Sequence, residues 1–137
     1  MSNPISSYMG VHADALPLRE QRMKLIASNL ANADTPGYKA QDMDFNAALG
    51  AARMQREGLA PATGLATTRE GHLSDAIATG QLPFQLTRQS SQPSLDGNTV
   101  DPDAERAAYG RAALEYRASL SFLESKVRTL LTAITGQ

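Results

Sequence analysis

His12 and His72 are the only side chains in this sequence whose ordinary pKa suits proton transfer near neutral pH. General acid–base or nucleophilic chemistry needs such a base within reach of a nucleophile and held by a third group. His12 lies in a helix-patterned apolar stretch and His72 in a glycine-punctuated one beside Glu70 and Asp75. Neither has a triad partner at a useful spacing, so His12 reads as a helix-face residue and His72 as a solvated loop residue. Asp42 and Asp44 flank Met43 ahead of an apolar run. A carboxylate pair can divide acid and base roles, but at a helix start the same residues cap free amides and meet the positive end of the dipole. That is how both are read. No glycine-rich run is followed by the Lys-Ser or Lys-Thr of a phosphate loop. The chain has no cysteine for thiolate nucleophiles, disulfides or Cys-ligated metal. The expectation is a chain with no catalytic residue, no metal, no cofactor and no small-molecule substrate.

Charge narrows the partners. Thirteen basic against fourteen acidic residues leave a net charge of −1, which gives no electrostatic footprint for nucleic acid or an anionic membrane. Asp14, Arg19, Glu20, Arg22 and Lys24 interrupt the first thirty residues, so neither a membrane span nor a cleaved secretory signal is expected there.

The elements that position these residues follow from composition and periodicity. At 137 residues the chain suits one domain, and with 5% aromatic content and no Trp its core must come from Ala, Leu, Ile, Val and Met. Tyr109, Ala113, Tyr116, Leu120, Leu123, Val127, Leu130 and Ile134 recur at steps of four and three, a heptad seam. Asp101 can cap that segment, Pro102 suits the first helical position, and Gly136 can end it, which predicts a helix over 102–135. Gly110 costs it about 1 kcal/mol relative to Ala. Near the N-terminus Met9, Leu16, Met23 and Leu30 recur every seven residues, with Ile26 and Ala33 between, predicting a helix over 6–33 that breaks or bends at Pro17.

The two seams are expected to pair, Met23, Ile26, Leu30 and Ala33 facing Tyr116, Leu120, Leu123, Val127 and Leu130. Leu114, Phe122 and Leu131 fall off the seam, towards neighbouring subunits. A 34-residue helix is about 50 Å long. A compact globule of this chain length is only about 37 Å across. The shape must therefore be elongated, with apolar positions that other subunits cover.

The middle reads differently. Phe45, Leu49, Ala52 and Met54 suggest one short helix, after which Gly58, Pro61, Gly64, Gly71 and Gly80 punctuate the chain. Leu82, Phe84 and Leu86 alternate with polar residues in a short strand that Pro83 restricts to an edge or a strand start. The fold class is mainly α: long terminal helices paired as an elongated coiled-coil-like domain, with a short, loop-rich middle holding small β elements. Its parts are 1–40 (first helix and terminating turn), 41–100 (middle) and 101–137 (second helix).

Two local motifs stand out. In Ala31–Ala40 (ANADTPGYKA), Pro36 cannot continue the first helix, and Pro36-Gly37 suits the central pair of a type II turn that delivers Tyr38 in a fixed direction. Asp96-Gly97-Asn98 reads as a turn before the second helix.

The stretch SNLANADTPGYKAQDMDF (Ser28–Phe45), with Asn29, Asn32, Thr35, Pro36, Gly37 and Tyr38, closely resembles the signature of bacterial flagellar rod, hook and hook-associated axial proteins. SLDGNTVDPDAERAAYGRAALEYRASLSFLESKVRTL (Ser94–Leu130), with Asp96, Gly97 and Asn98, looks specifically like the proximal rod members of that family. Pro102 departs from the long apolar residue expected there, which touches only the helix start.

The resemblance implies a non-enzymatic structural subunit of the basal-body rod, crossing the periplasm. It implies export through the flagellar type III apparatus without a cleaved signal. The implied partners are further copies of itself, other flagellar rod proteins, the rotor-ring/rod junction protein and the export gate. It also implies terminal helices that stay disordered until subunits assemble. A soluble helical binding module or export chaperone is the alternative reading.

Overall fold

The computed structural model of this chain describes residues 8–58, 84–89 and 94–136. Helix α1 (Val11–Ala31) leads to strand β1 (Gln41–Met43) and helix α2 (Phe45–Arg56), and strand β2 (Gln85–Thr87) precedes helix α3 (Pro102–Thr135). The fold is mainly helical, as expected. His72, the strand positions before Phe84 and the chain before Tyr8 lie outside the described residues.

Helix α3 occupies the span its end signals predict. The Asp101 carboxylate accepts from the Asp103 and Ala104 amides at 3.1 Å each, Pro102 opens the helix, and Gly136 at φ 71° closes it. Helix α1 departs from expectation at its start. It runs unbroken through Pro17, and the break falls at Gly10, whose φ of 64° and ψ of −152° lie where only glycine is comfortable. Pro17 removes one donor from an otherwise continuous ladder, which costs less here than abandoning the packed face on either side of it.

Helices α1 and α3 run antiparallel. Asn29 meets Glu105, Arg19 donates to the Glu115 carbonyl, His12 stacks on Phe122 with ring centroids 4.8 Å apart, and Lys126 donates to the Tyr8 and Met9 carbonyls at 2.8 and 3.3 Å. This register corrects the expected facing. Met23 to Ala33 lie across from the start of α3, while Leu123 to Leu130 lie beside the start of α1 and beyond. The packed line on α3 also differs from the expected seam. It runs through Glu105, Ala108, Ala112, Tyr116, Ser119, Leu123, Lys126 and Leu130, all buried or half-buried. Small side chains on that line let the helices approach closely, which longer ones one residue further on would prevent.

The middle segment closes one end of the helix pair. Strands β1 and β2 are antiparallel, Gln41 opposite Thr87, Asp42 opposite Leu86 and Met43 opposite Gln85. Asp44 caps α2 by accepting from the Ala47 amide at 3.0 Å. Asp42 does not cap, contrary to expectation, because its carboxylate is drawn into ion pairs described below. Helix α2 is tied to α1 by the Arg56–Asp14 ion pair at 2.9 Å and by Arg19 lying 5.6 Å over the Phe45 ring.

Among the described residues the buried apolar side chains are Ala15, Ile26, Ala40, Met43, Ala48 and Ala112, four of them alanine. With so little apolar burial, local terms such as caps weigh heavily in stability. Asp101→Ala should lower unfolding free energy by about 1 kcal/mol, and Asp101→Asn by much less. The check is a urea titration in which the midpoint moves and the slope does not.

Candidate functional site

Both motifs singled out in the sequence meet at the end of α1. The helix stops at Ala31, and the Asn32 amide bonds back to the Ser28 and Asn29 carbonyls at 3.1 Å each. The Thr35 hydroxyl donates to the Asn32 side-chain oxygen at 3.2 Å, and the Tyr38 amide reaches the Thr35 carbonyl at 3.3 Å across Pro36-Gly37. Gly37 has φ 73°, the value a type II turn requires at that position.

The Thr35 amide also bonds the Asn32 carbonyl at 3.0 Å, and the second motif adds a donor to the Asn32 and Thr35 carbonyls and to that of Ala33. The buried Asn98 side-chain amide lies 3.0, 2.8 and 2.9 Å from the carbonyl oxygens of Asn32, Ala33 and Thr35, its two N–H groups shared among the three. The turn that carries Asn98 is itself closed. Its side-chain oxygen accepts from the Val100 amide at 2.8 Å, and its own amide donates to the Asp96 carboxylate at 3.1 Å. Gly97 sits at φ 73° with its amide 3.2 Å from the Ser94 carbonyl. Further bonds stitch the motifs together. The Gly37 amide donates to the Asp96 carbonyl at 2.9 Å, the Thr99 amide to the Tyr38 carbonyl at 3.0 Å, and the Lys39 ammonium to the Gly97 carbonyl at 2.8 Å. The Ser94 hydroxyl and the Asn98 amide hold the exposed Asp96 carboxyl below its ordinary range.

A second polar group joins this knot to α3. Asn29, fully buried, behaves as a substitute strand beside β1. It accepts from the Gln41 amide at 2.8 Å and donates to the Gln41 carbonyl at 2.7 Å, the groups that the β1–β2 ladder leaves facing away. Its amide also reaches the buried Glu105 carboxylate at 3.3 Å, and the Tyr38 hydroxyl donates to its oxygen at 3.3 Å. Arg88 bridges Glu105 and Asp42, the latter at 2.9 Å, and Arg22 lies 3.3 Å from Asp42 on the other side. Burial works to raise the Asp42 carboxyl, but the Met43 amide, Arg88 and Arg22 outweigh it and hold it below its usual value. Burial likewise works to lower the Arg88 guanidinium, and Asp42 and Glu105 reverse that.

The apolar residues singled out as helix-pairing positions divide into two groups. Ile26 is buried, and Met23, Leu30, Ala33, Tyr116, Leu123 and Leu130 are half-buried. Tyr109, Leu120, Val127 and Ile134 are exposed, Ile134 at 80%. Leu114, Phe122 and Leu131, expected to point away from the seam, are exposed too, with Phe122 stacked on His12. Tyr109, Leu120, Val127, Leu131 and Ile134 form a stripe along one face of α3, and Leu114 and Phe122 lie on other sides of it. The stripe borders an apolar groove of about 450 Å³ between Leu120 and Leu131, and Tyr109 completes an apolar hollow with Ala27, Leu30 and Ala31. Ala108, Ala112, Ser119 and the buried pair Asn29 and Glu105 were missed as packing residues. Their signal is present, a four-and-three spacing one residue ahead of the hydrophobic one, but it is written in small and polar side chains. Among the described residues no helix is long and apolar enough to cross a membrane.

The two motifs that carry the resemblance to flagellar axial proteins thus meet in one knot. Residues 9–39 match the family model for flagella basal body rod proteins. The chain is 44% identical to the flagellar basal body rod protein FlgB of Aeromonas hydrophila, over 93% of this chain and 92% of that one. It is 43% identical to FlgB of Cereibacter sphaeroides (strain ATCC 17029 / ATH 2.4.9) over 94% of each chain, and 34% identical to FlgB of Salmonella typhimurium over 99% of each. The chain belongs to the FlgB family of structural flagellar basal-body rod proteins.

Two outcomes follow from the knot. Asn98→Asp keeps size but sets an acceptor against three carbonyls, so it should cost at least about 2 kcal/mol, measured by urea unfolding beside Asn98→Ala. Because the folded pKa of Asp42 is depressed, its ion pairs contribute fully above the unfolded value of about 3.9 and are lost as pH falls through the lower folded value. Stability contributed by this group should therefore be level from pH 7 to about 5 and fall below about 4. Asp42→Asn should flatten part of that acid limb in a pH series of melting temperatures.

Proposed function

We propose that this chain is a subunit of the proximal rod, polymerising through its terminal helices and transmitting torque from the rotor towards the distal rod and hook. In this reading it reaches the periplasm through the flagellar type III export apparatus without a cleaved signal. There it contacts further copies of itself, other rod proteins, the rotor-ring/rod junction protein and the export gate. It catalyses nothing and holds no cofactor.

The uncovered stripe on α3 carries the reading. Five large apolar side chains, Tyr109, Leu120, Val127, Leu131 and Ile134, are exposed along one face of α3, with Leu114 and Phe122 exposed on other sides, against six buried apolar residues among all the described ones. A monomer gains little from such surface, and a neighbour that covers it gains about 25 cal/mol per Å² removed from water. The polar knot has the opposite character: directional, satisfied and closed, it resists slippage under load where an apolar contact would slide.

Covered stripe and closed knot together make α3 a strut of about 50 Å, fixed at one end and packed along its length. Leu120→Glu and Val127→Glu test this directly. At exposed positions each should change the stability of the isolated chain by no more than about 0.5 kcal/mol. In the host each should abolish swimming and remove rods from purified basal bodies. Normal motility in both, with the variant protein present in basal bodies, would overturn the stripe as an assembly surface. Deleting the protein should likewise remove rods, with return on complementation.

A further inference from the structure

Helix α3 carries two apolar arcs offset by one residue, a rotation of about 100° about its axis. They share Tyr116, Leu123 and Leu130 and differ elsewhere: Ala108, Ala112, Ser119 and Lys126 lie on the arc packed under α1, and Tyr109, Leu120, Val127 and Ile134 on the one left outside. At the positions where they differ, burial of apolar area alone favours the outer arc, because its side chains there are larger and more apolar. Something must make α1 choose the poorer one.

Glu105 stands on the packed arc with none of its surface exposed, and its carboxylate accepts from the Asn29 amide at 3.3 Å and from Arg88. A buried carboxylate left without partners is strongly unfavourable, so the arc that brings Asn29 over Glu105 excludes its competitor. Among the described residues no other tie between the helices has a fully buried charge: the Arg19–Glu115 ion pair and the Lys126 bonds to carbonyls are made by partly exposed side chains, the His12 stack is on an exposed Phe122, and the Asn98 clamp lies ahead of α3. Buried polar groups of this kind are best attested as devices that select register at no gain in stability.

We propose that Glu105 is a face selector: by admitting α1 only to the small-residue arc, it keeps the long apolar arc of α3 on the outside of the subunit. This rests on the assembly reading above, since a covered arc would offer neighbours nothing.

The sequence has no native cysteine, so Leu120→Cys reports exposure of the outer arc by its rate of maleimide labelling in the full chain. Adding Glu105→Leu should leave the urea midpoint equal or higher, slow labelling about tenfold or more, and abolish rods in the host. Glu105→Gln keeps one acceptor oxygen, enough for Asn29 or Arg88 but not both, and remains polar on the same arc, so its labelling rate should stay nearer to wild type than to Glu105→Leu. A lower midpoint or a lost cooperative transition in Glu105→Leu, with labelling unchanged or faster, overturns the proposal and makes Glu105 an ordinary stabilising residue. Unchanged labelling with intact rods also overturns it while leaving the assembly reading standing. Slowed labelling with intact rods does the reverse, upholding the selector and removing the outer arc from assembly.

Discussion

One side-chain amide shares its two N–H groups among three carbonyls at the end of α1, and the arrangement of the chain depends on it. Asn98 gathers the carbonyls of Asn32, Ala33 and Thr35, two of which the turn itself also bonds. Without that donor the buried Asn98 turn and the helix end would lose their common tie, a cost the modest apolar core has little capacity to offset. With it, the terminating turn of the first helix and the entry to the second become a single rigid object. The β1–β2 pair, the Arg88 bridge and Asn29 all take their places relative to that object.

The usual division of a globular protein is partly reversed. Its interior holds Asn29, Asn98, Glu105 and Ser119, while leucines, a phenylalanine, a valine and an isoleucine line the outside of α3. Polar contacts inside determine where elements sit, and apolar area outside remains free to be spent on association. In a family of rod proteins this makes physical sense. The chain specifies its own geometry by hydrogen bonding and keeps a large apolar area on its outside.

Much of this was legible in the sequence. The end signals of α3 read correctly because Asp101, Pro102 and Gly136 act locally, each through the backbone of its own neighbourhood. The Pro36-Gly37 turn and the Asp96-Gly97-Asn98 turn were legible for the same reason. The choice of face on α3 was not, since periodicity scores apolar side chains and the packed line is small and polar. Asp42 was misassigned as a cap because the guanidiniums that claim it come from residues twenty before and forty-six after it. The break at Gly10 was missed because Pro17 is the stronger breaker by type, and only tertiary packing shows that α1 absorbs it. Antiparallel register was open because two heptad patterns carry no direction.

The clamp also has a kinetic meaning. Its three hydrogen bonds join residues 66, 65 and 63 positions apart, whereas the helices they lock need only neighbours within four. Closing a loop of that size must be met by chain entropy before any of the three bonds forms, so single turns of helix form ahead of the clamp. The ties between α1 and α3, 76 to 118 positions apart, close against larger loops still, so the clamp is the shorter of the long-range closures and brings the helix ends together before the helices zip along their length.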